Sequence, residues 1–340
     1  MYKLVVVFEN EAVVMRFLYF TDSHCRGTSP TNRKDNYVSS LMLKLKEVAF
    51  LAQEWEVTAI LHGGDLWDLP NPSLSVADSY LSQLEAAGVP IYVIAGNHDL
   101  HRQDLSSIPY TMLGLQAAQG RLRIINSRDR LYFQNSNVRV QITGQPYHLE
   151  IDRRDPGLDY CVTKQDCDYA IHLVHGNLMA GCDFPGSIHT HFSQVYKTEA
   201  DLTLVGHMHF GFPDYFYEGK WFINIGALAR LTNHLEEFKR TLQVLLIDLS
   251  LGHTELRKLP LKSVLPANRV LDRNKAEYTA RQVQCLIESV LEARNEEEFI
   301  NSELKEVVDF IGIQEGMSRE IRQEALRSVH AKLGTGQRDS

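Results

Sequence analysis

Residues 59–68 of the chain read Ala-Ile-Leu-His-Gly-Gly-Asp-Leu-Trp-Asp. A short apolar run ends there in two glycines, and two carboxylates, Asp65 and Asp68, follow it. Short apolar runs bounded by glycine are typical of strands buried inside an α/β sheet. A polar side chain directly after such a strand lies at the carboxyl edge of the sheet, where open α/β folds bind ligands. The stretch therefore predicts a strand that delivers carboxylates to a site.

The same pattern occurs at four other places in the chain. Residues 17–21 are followed by Asp22 and His24, residues 91–96 by Asn97 and His98, residues 171–174 by His175, and residues 202–206 by His207 and His209. Alone, an Asp-x-His or a His-x-His pair is more often an ordinary surface feature. Because the pattern recurs five times after a strand, we expect one shared site, with Gly64, Gly96 and Gly206 letting the backbone turn sharply beside it.

The strands alternate with helical patterns, which is typical of α/β architecture. Residues 37–55 carry apolar side chains at spacings of three and four, and residues 75–87 form a second helical pattern that ends at Gly88. At least eight strands precede Pro260. We therefore expect an α/β fold, a two-sheet β-sandwich flanked by helices, with a C-terminal all-helical extension.

The pattern divides the chain into three regions. Residues 1–14 form an N-terminal extension, which either adds an edge strand or lies upstream of a biological start at Met15. Residues 15–262 form the expected catalytic domain. Residues 263–340 have no strand pattern but carry three amphipathic helical stripes. These helices either pack on the catalytic domain or present an apolar face, in a helix-loop-helix, to a partner chain.

Composition limits the class of protein. The 340 residues are 44% hydrophobic and 23% charged, as in ordinary soluble globular proteins, and no apolar run approaches the roughly 18 residues of a membrane span. The N-terminal apolar stretch is too short for a secretory signal, so we expect a cytoplasmic protein without a membrane partner. The five cysteines are widely spaced and form no Cys-x-x-Cys pair, which argues against disulfides and thiolate metal sites.

Seven residues at the strand ends carry metal-ligand groups: Asp22, His24, Asp65, Asn97, His175, His207 and His209. Seven ligands are too many for one tetrahedral ion, and they suit two ions that share a bridging carboxylate. The mixture of imidazole and oxygen groups without cysteine favours Mn²⁺, with Fe or Zn²⁺ as alternatives. We therefore expect two divalent metal ions as cofactors.

In this order, the motifs Asp-x-His, Gly-Asp-x-x-Asp, Gly-Asn-His-Asp, His-Gly and Gly-His-x-His resemble those of the calcineurin-like metallophosphoesterase superfamily, over residues 16–260. The resemblance implies the metallophosphoesterase fold and the hydrolysis of phosphoesters. It also implies two ligand sets that share Asp65: Asp22, His24, Asp65 and His209 for one ion, and Asp65, Asn97, His175 and His207 for the other.

The resemblance also implies two catalytic residues outside the ligand sets. His98 would stabilise or protonate the leaving oxygen, and Asp68 would be the carboxylate that orients His98 and fixes its tautomer. The alternative for Asp68 is a turn carboxylate. Asp99 is interpreted as a structural hydrogen-bonding residue.

His62 and His172 lie inside strand runs and are interpreted as core or sheet residues. His189 and His191 have a ligand-like spacing, but no strand precedes them. Their role stays open between metal binding, substrate contact between two metal-bearing strands, and neither.

Within the superfamily the chain is most similar to the SbcD-type DNA nucleases, which act in double-strand-break repair with an SMC-like coiled-coil ATPase. Residues 65–73 resemble that branch's Gly-Asp-x-Phe-Asp run with its Pro-Ser, and residues 224–230 resemble its Asn-Pro-Gly-Ser-x-x-Arg strand end. Cys25-Arg26-Gly27 departs from its usual Leu-Gly. The resemblance implies a DNA exonuclease or endonuclease that binds an SbcC-like ATPase through residues 300–333, and it allows a homodimer.

The net charge is −8, from 35 basic and 43 acidic residues, which excludes a broad basic surface for DNA. Two divalent ions would add positive charge where a phosphate binds. We therefore expect the affinity for DNA to come from the ions, from a partner protein, and from cationic side chains near the strand ends. The candidate substrate-binding residues are Arg26, His101, Arg102 and Arg230, with Arg33 and Lys34 as further loop cations.

Two other functions are consistent with parts of the sequence. A phosphatase or a cyclic-nucleotide phosphodiesterase could use the same scaffold, although Asp99 and Leu69 differ from the glutamate and arginine that protein Ser/Thr phosphatases carry at these places. A docking scaffold with vestigial catalysis is the alternative of another class. The complete ligand set, together with His98 and Asp68, argues against it.

Overall fold

The computed structural model describes residues 3–7, 14–179, 188–293, 304–314 and 317–334. The strands are β1 (Lys3–Val7), β2 (Met15–Phe20), β3 (Ala59–His62), β4 (Ile91–Val93), β5 (Arg123–Ile124), β6 (Arg130–Gln134), β7 (Arg139–Gln145), β8 (Tyr169–His175), β9 (Leu178–Met179), β10 (Thr190–His191), β11 (Leu202–Gly206), β12 (Phe212–Tyr217), β13 (Lys220–Asn224), β14 (Gln243–Ser250) and β15 (His253–Pro260). The helices are α1 (Tyr37–Glu54), α2 (Leu74–Glu85), α3 (Met112–Ala118), α4 (Gly157–Tyr160), α5 (Glu236–Lys239), α6 (Ala267–Val270), α7 (Arg273–Ala293), α8 (Leu304–Gln314) and α9 (Arg319–Gly334).

Two mixed sheets form the body of the protein. The first has the strand order β1-β6-β7-β8-β11-β13-β12, and the second has the order β15-β14-β2-β3-β4-β5. Strands β2, β3 and β4 run parallel to one another, as do β8 and β11. The prediction of an α/β fold with two sheets and flanking helices is confirmed.

Aromatic side chains join the two sheets. Phe133 of β6 lies in the first sheet, and its ring centroid is 5.2 Å from that of Phe17 in β2 and 5.3 Å from that of Tyr92 in β4. All three side chains are buried, and edge-to-face pairs of this kind add to the free energy gained by burial alone. The sheets are therefore fixed relative to each other close to the strands that carry the motifs.

Helices α1 and α2 confirm the helical patterns read from the sequence. Asn36 caps α1 by accepting a hydrogen bond from the N–H of Ser39, and Ser73 caps α2 in the same way for Val76. The apolar positions of the α1 stripe are buried: Leu41, Leu45, Val48 and Ala52. Gly88, after α2, has a φ of +72°, which glycine adopts without a steric penalty.

The C-terminal helices α7, α8 and α9 pack chiefly on one another. Their stripes form one buried cluster, made by Val283, Leu286, Ile287, Val290, Leu304, Val307, Val308, Met317, Ala325 and Val329. Helix α8 continues to Gln314. Residue 300, where the sequence placed the start of the docking element, lies outside the described residues. The division into three regions stays a prediction.

Helices α6, α7 and α9 contact the sandwich. The N–H of Lys34 donates to the carbonyl of Val270 in α6 at 2.8 Å, and the guanidinium of Arg273 in α7 lies over the ring of Phe238. Nε2 of His234 lies 3.9 Å from Oε1 of Glu324 in α9. Among the described helices, none is both long enough and apolar enough to cross a membrane.

Lys44, on the inner face of α1, is a buried cation that the sequence pattern does not indicate. Its side chain is 2% exposed, and its Nζ donates to the carbonyl and the hydroxyl of Ser40. Burial, aided by the guanidinium of Arg33, lowers the pKa of Lys44 from 10.5 to about 7. Near neutral pH this side chain therefore loses its charge in the folded protein.

We expect Lys44→Met to flatten the pH dependence of stability. Between pH 7 and pH 10 the unfolded chain holds a proton on Lys44 that the folded protein has lost, so the free energy of unfolding of the wild type rises with pH. The slope from this group is up to about 1.4 kcal/mol per pH unit. Urea titrations across this range measure it, with the exposed Lys46→Met as control. Equal slopes in the wild type and Lys44→Met would contradict the expectation.

Candidate metal centre

The five motif-bearing strands end at one place. Strands β2, β3 and β4 of the second sheet and strands β8 and β11 of the first sheet direct their carboxyl ends to the same edge of the sandwich. The polar residues at these strand ends form three adjoining groups of ligand-type atoms. Two of the groups share Asp65 and are called the first and second cluster, and the third consists of His24, Asp68 and His98. The structure thus brings together all seven residues that the sequence proposed as metal ligands.

The first cluster contains Asp22, His24, Asp65 and His209, whose ligand atoms all lie within 4.8 Å of one another. Nε2 of His24 is 3.1 Å from Nε2 of His209, and Nε2 of His209 is 3.7 Å from Oδ1 of Asp22. Two imidazole nitrogens and two carboxylates therefore converge on one small volume. Such a donor set fits a divalent transition-metal ion.

The second cluster contains Asp65, His175 and His207, again within 4.8 Å of one another. The amide oxygen of Asn97 joins them, at 2.9 Å from Nδ1 of His207 and 3.2 Å from Nε2 of His175. An amide oxygen and a carboxylate with two imidazoles are again ligands that suit Mn²⁺, Fe or Zn²⁺. This set fits a second divalent ion beside the first.

Asp65 belongs to both clusters through a single oxygen. Its Oδ2 is 3.6 Å from Nε2 of His24 and 3.3 Å from Nε2 of His175. Its other oxygen, Oδ1, accepts a hydrogen bond of 2.8 Å from the backbone N–H of His98. The side chain is therefore held with one oxygen against the backbone and the other between the two clusters, the arrangement that a bridging carboxylate requires.

The backbone is strained at four of the proposed ligands. Asp22, His24, Asp65 and His207 have φ angles of 51°, 46°, 53° and 81°, in the left-handed region that residues other than glycine rarely adopt. Hydrogen bonds hold this backbone, among them Asp22 N–H to the carbonyl of Gly64 and His24 N–H to that of Asp65, both at 3.0 Å. Strain that the surrounding structure maintains is typical of functional sites.

Glycine is required beside the shared carboxylate. A Cβ atom on Gly96 would lie 2.1 Å from Oδ1 of Asp65, and one on Gly64, whose φ is +101°, would lie 2.3 Å from Nδ1 of His175. No side chain fits at either distance. The glycines predicted to permit sharp turns therefore also let the strand ends approach one another closely.

Two of the imidazoles are oriented by groups behind them. Nδ1 of His175 donates to the carbonyl of Gly63 at 2.8 Å, so its Nε2 faces the clusters. Nδ1 of His24 lies 3.4 Å from Oδ1 of Asp68, whose other oxygen forms an ion pair of 3.0 Å with Arg26. Hydrogen-bond acceptors behind a metal-binding imidazole fix its tautomer and raise its basicity.

Electrostatic coupling between the clusters shifts several pKa values. Burial alone would raise the pKa of Asp65, but the positive charge of His175 holds it well below its usual range. Burial would likewise lower the pKa of His175, but the Asp65 carboxylate raises it to about 9. Burial and the neighbouring His175 lower the pKa of His207 to about 4. Since metal ions bind neutral imidazole, an ion at this cluster has to displace the His175 proton.

The described hydrogen bond between His98 and Asp68 does not involve the carboxylate, although a carboxylate oxygen of Asp68 lies within 4.8 Å of a ring nitrogen of His98. Nδ1 of His98 donates to the backbone carbonyl of Asp68 at 2.8 Å, whereas the carboxylate faces His24 and Arg26. The physical reason is that the charged carboxylate gains more from a cation and a buried imidazole than from His98. His98 itself lies beside the first cluster, with its ring centroid 4.6 Å from that of His24.

The proposed substrate contacts divide into two groups. Arg26, His101 and Arg102 lie near the strand ends, and the side chains of His101 and Arg102 are exposed. Arg230, by contrast, is 6% exposed and donates to the carbonyls of Glu237 and Arg240. Arg33 is likewise buried in an ion pair with Asp35. These two arginines therefore bind loop carbonyls and Asp35, and their contact with DNA stays a prediction.

Several further polar residues have described contacts outside the two clusters. Asp99 accepts hydrogen bonds from the backbone N–H groups of Trp67 and Gly96. His62 bonds to the hydroxyl of Ser23, and His172 bonds to that of Thr143. His191 caps a short 3-10 turn through its side chain. None of these side chains belongs to either cluster.

Sequence reasoning missed Tyr147. Its ring centroid is 5.6 Å from that of His207 and 6.3 Å from that of His175. Strand β7 runs parallel to β8 and ends at Gln145, so residues after it reach the same edge as His175. The strand pattern in the sequence covers residues 138–143 and so ends two residues before the end of β7. It therefore does not place Tyr147 at the site.

The chain is similar to one family model, to curated relatives and to solved structures. The family model described as calcineurin-like phosphoesterase matches residues 15–211. Two DNA double-strand break repair proteins Mre11 are each 25% identical to this chain, the one from Methanococcus maripaludis over 29% of the chain and the one from Methanocaldococcus jannaschii over 42%. The matched segments span 27% and 37% of those relatives. A dimetal phosphatase from Danio rerio superposes with a TM-score of 0.42 at 13% identity, over 72% of this chain and 98% of that one.

We expect Asp65→Ala to abolish binding of both ions and Asp68→Asn to weaken it. The first variant removes the oxygen that both clusters share. The second removes the group that orients His24, and losses of about 10- to 100-fold in metal affinity are typical of such changes. Equilibrium dialysis against Mn²⁺ with elemental analysis measures both. Asp78→Asn, an exposed carboxylate on α2, is the control. Full metal content in Asp65→Ala would contradict the shared ligand.

Proposed function

Since the chain belongs to the calcineurin-like phosphoesterase family, we propose that it is a metal-dependent phosphodiesterase that cleaves DNA, as an SbcD-type exonuclease or endonuclease. One observation carries the proposal: two ligand clusters share Oδ2 of Asp65, and His98, which belongs to neither Asp65-sharing cluster, lies beside them. Family membership alone does not fix the substrate.

In the proposed mechanism, Asp22, His24, Asp65 and His209 would hold one ion, and Asp65, Asn97, His175 and His207 would hold the other. Two such ions supply a nucleophile at neutral pH and neutralise the charge of the phosphate. The chain's own contribution is to fix the ligand positions. Asp65 is held by the His98 N–H, His175 by the Gly63 carbonyl, and His24 by Asp68. Mn²⁺ is proposed because all donors are imidazole, carboxylate or amide groups.

His98 is the proposed acid for the leaving oxygen. A backbone carbonyl only accepts hydrogen bonds, so the contact with Asp68 places a proton on Nδ1 of His98. Nε2 is then the nitrogen through which His98 exchanges a proton with the substrate. General acids of this type contribute about 10²- to 10⁴-fold to a rate.

DNA is proposed as the substrate on three grounds. The two relatives named as DNA double-strand break repair proteins share 25% identity with the chain. The motif-following segments resemble those of the SbcD-type branch. Arg26 supplies positive charge beside Asp68, and the exposed Arg102 precedes Gln103, which contacts Tyr147. The net charge of −8 offers no broad basic surface. The affinity for DNA would thus come from groups close to the two clusters.

We expect Mn²⁺-dependent cleavage of linear double-stranded DNA by the purified chain, and loss of that cleavage with EDTA. His98→Ala should keep its metal content and lose about 10²- to 10⁴-fold in turnover. The measurement compares DNA with a chromogenic phosphodiester and a phosphopeptide under the same conditions. Cleavage of the small diester with none of DNA, with and without an ATPase partner, would contradict the nuclease proposal. Full turnover of His98→Ala would contradict its role.

The proposed partner is a coiled-coil ATPase of the SMC type that binds the C-terminal helices. Helix α8 buries one stripe in the helical cluster and exposes Phe310 and Ile313, which are 48% and 61% exposed. Apolar side chains three residues apart on a helix share one face, and such a face suits packing against another helix.

We expect Phe310→Asp/Ile313→Asp to lose this partner. The tagged wild type, expressed in its native host, should retain a coiled-coil ATPase that mass spectrometry identifies, because the apolar face of α8 would pack on it. Leu43→Asp, at an exposed apolar position of α1, is the matched control and should retain it. Retention of the ATPase by the double variant, or its absence from the wild type, would contradict the proposal.

A further inference from the structure

Tyr147 lies at one rim of the paired clusters and has no part in binding the ions. Its ring is tilted by 36° over the ring of His207, with the centroids 5.6 Å apart. The side chain is partly exposed. An aromatic surface therefore stands next to the position that the phosphate of a substrate would take at the second cluster.

The position of Tyr147 is fixed from both ends. Its backbone N–H donates to the carbonyl of Ala95 at 2.9 Å, two residues before Asn97. Its hydroxyl donates a long hydrogen bond of 3.4 Å to the side-chain oxygen of Gln103. A ring that is held at its backbone and at its hydroxyl keeps one orientation toward the clusters, which lowers the entropy that a bound ligand would have to remove.

The turn that contacts Tyr147 is itself strained. Arg102 and Gln103 have φ angles of 51° and 61°, two consecutive left-handed residues that are not glycine. The turn is held from behind by Asp104 and Ser107: the N–H of His101 donates to the hydroxyl of Ser107, and the N–H of Asp104 donates to the carbonyl of His101, both at 3.0 Å. Arg102 is exposed, and it directly precedes Gln103, whose side chain contacts Tyr147.

We propose that this rim, made of Arg102, Gln103 and Tyr147, binds the nucleotide next to the scissile phosphate. The base or sugar of that nucleotide packs on the ring of Tyr147, and Arg102 contacts the following phosphate of the strand. The inference rests on the proposed nuclease function and adds to it: the site would select nucleoside-bearing diesters over diesters of the same leaving group without a nucleoside.

The chemistry of the rim favours a polynucleotide over a small phosphoester. Every base offers a π-face to an aromatic ring, so one tyrosine serves all sequences. A guanidinium suits the phosphate that a polynucleotide repeats at each step. A phosphate monoester of a protein or a sugar has neither a stacked base nor a second phosphate, and it would leave both groups unused.

A matched pair of substrates tests the inference. Thymidine 5′-(p-nitrophenyl phosphate) and methyl p-nitrophenyl phosphate share a leaving group and differ only in nucleoside against methyl. Both are assayed with Mn²⁺ for the wild type and for Tyr147→Leu, Tyr147→Phe and Arg102→Gln. The control is Tyr110→Leu, which changes a 78% exposed ring. Elemental analysis shows whether each variant keeps its ions.

We expect Tyr147→Leu to lower kcat/KM on the thymidine ester by about tenfold or more, the loss that removal of a stacked aromatic ring typically causes. The methyl ester should change by less than about twofold. Tyr147→Phe, which keeps the ring, should keep the preference for the nucleoside. Arg102→Gln should weaken binding of a fluorescent ten-residue oligothymidylate.

The outcomes separate this inference from the proposed function. If the wild type cleaves DNA and prefers the thymidine ester, but Tyr147→Leu keeps that preference, the inference is overturned and the nuclease proposal stands. An equal loss on both esters also overturns it, because Tyr147 would then support the clusters only. A wild type that cleaves the methyl ester but neither the thymidine ester nor DNA overturns the proposed function, and the inference with it.

Discussion

One buried oxygen, Oδ2 of Asp65, imposes the constraint on which the catalytic region depends. It lies between Nε2 of His24 and Nε2 of His175, at 3.6 Å and 3.3 Å, and these imidazoles follow strands of different sheets. A buried carboxylate is costly unless nearby positive charge and hydrogen bonds compensate it. The compensation for Asp65 comes from both sheets, so the sandwich has to bring the carboxyl edges of β3 and β8 together. The aromatic contacts around Phe133 fix the sheets in that relation.

This convergence explains features that would otherwise be unfavourable. Left-handed φ angles at Asp22, His24 and Asp65 cost free energy, and they turn the side chains into one volume that ordinary strand ends would not reach. Gly96 is needed because a Cβ there would collide with Asp65. Burial keeps His207 and His209 neutral by lowering their pKa values, and neutral imidazoles are the form that binds metal ions. The strained backbone and the buried polar groups at these residues therefore lower the stability of the folded protein. Bound ions would offset this loss.

The sequence predicted the centre of this structure well and its periphery poorly, for physical reasons. The motif-bearing strands are short apolar runs: β2, β3, β4, β8 and β11. A short run that ends in glycine or a polar ligand is readily recognised as a strand rather than as part of a helix. Strands such as β12 and β15 lie at sheet edges, and their exposed, mixed side chains carry a weak signal. The contacts of Asp68 and Arg230 depend on which neighbours the fold supplies, and spacing along the chain does not encode that. Tyr147 reaches the site only because β7 continues two residues beyond its apolar run.

The position of Oδ2 of Asp65 implies that two bound ions would share it. A crystal structure of the Mn²⁺-loaded protein, with anomalous differences collected at the manganese edge, would test this sharing. Two anomalous peaks about 3.5 to 4 Å apart are expected, one beside His24 and His209 and the other beside His175 and His207, with Oδ2 of Asp65 between them. A single peak, or two peaks of which only one contacts Asp65, would contradict this sharing.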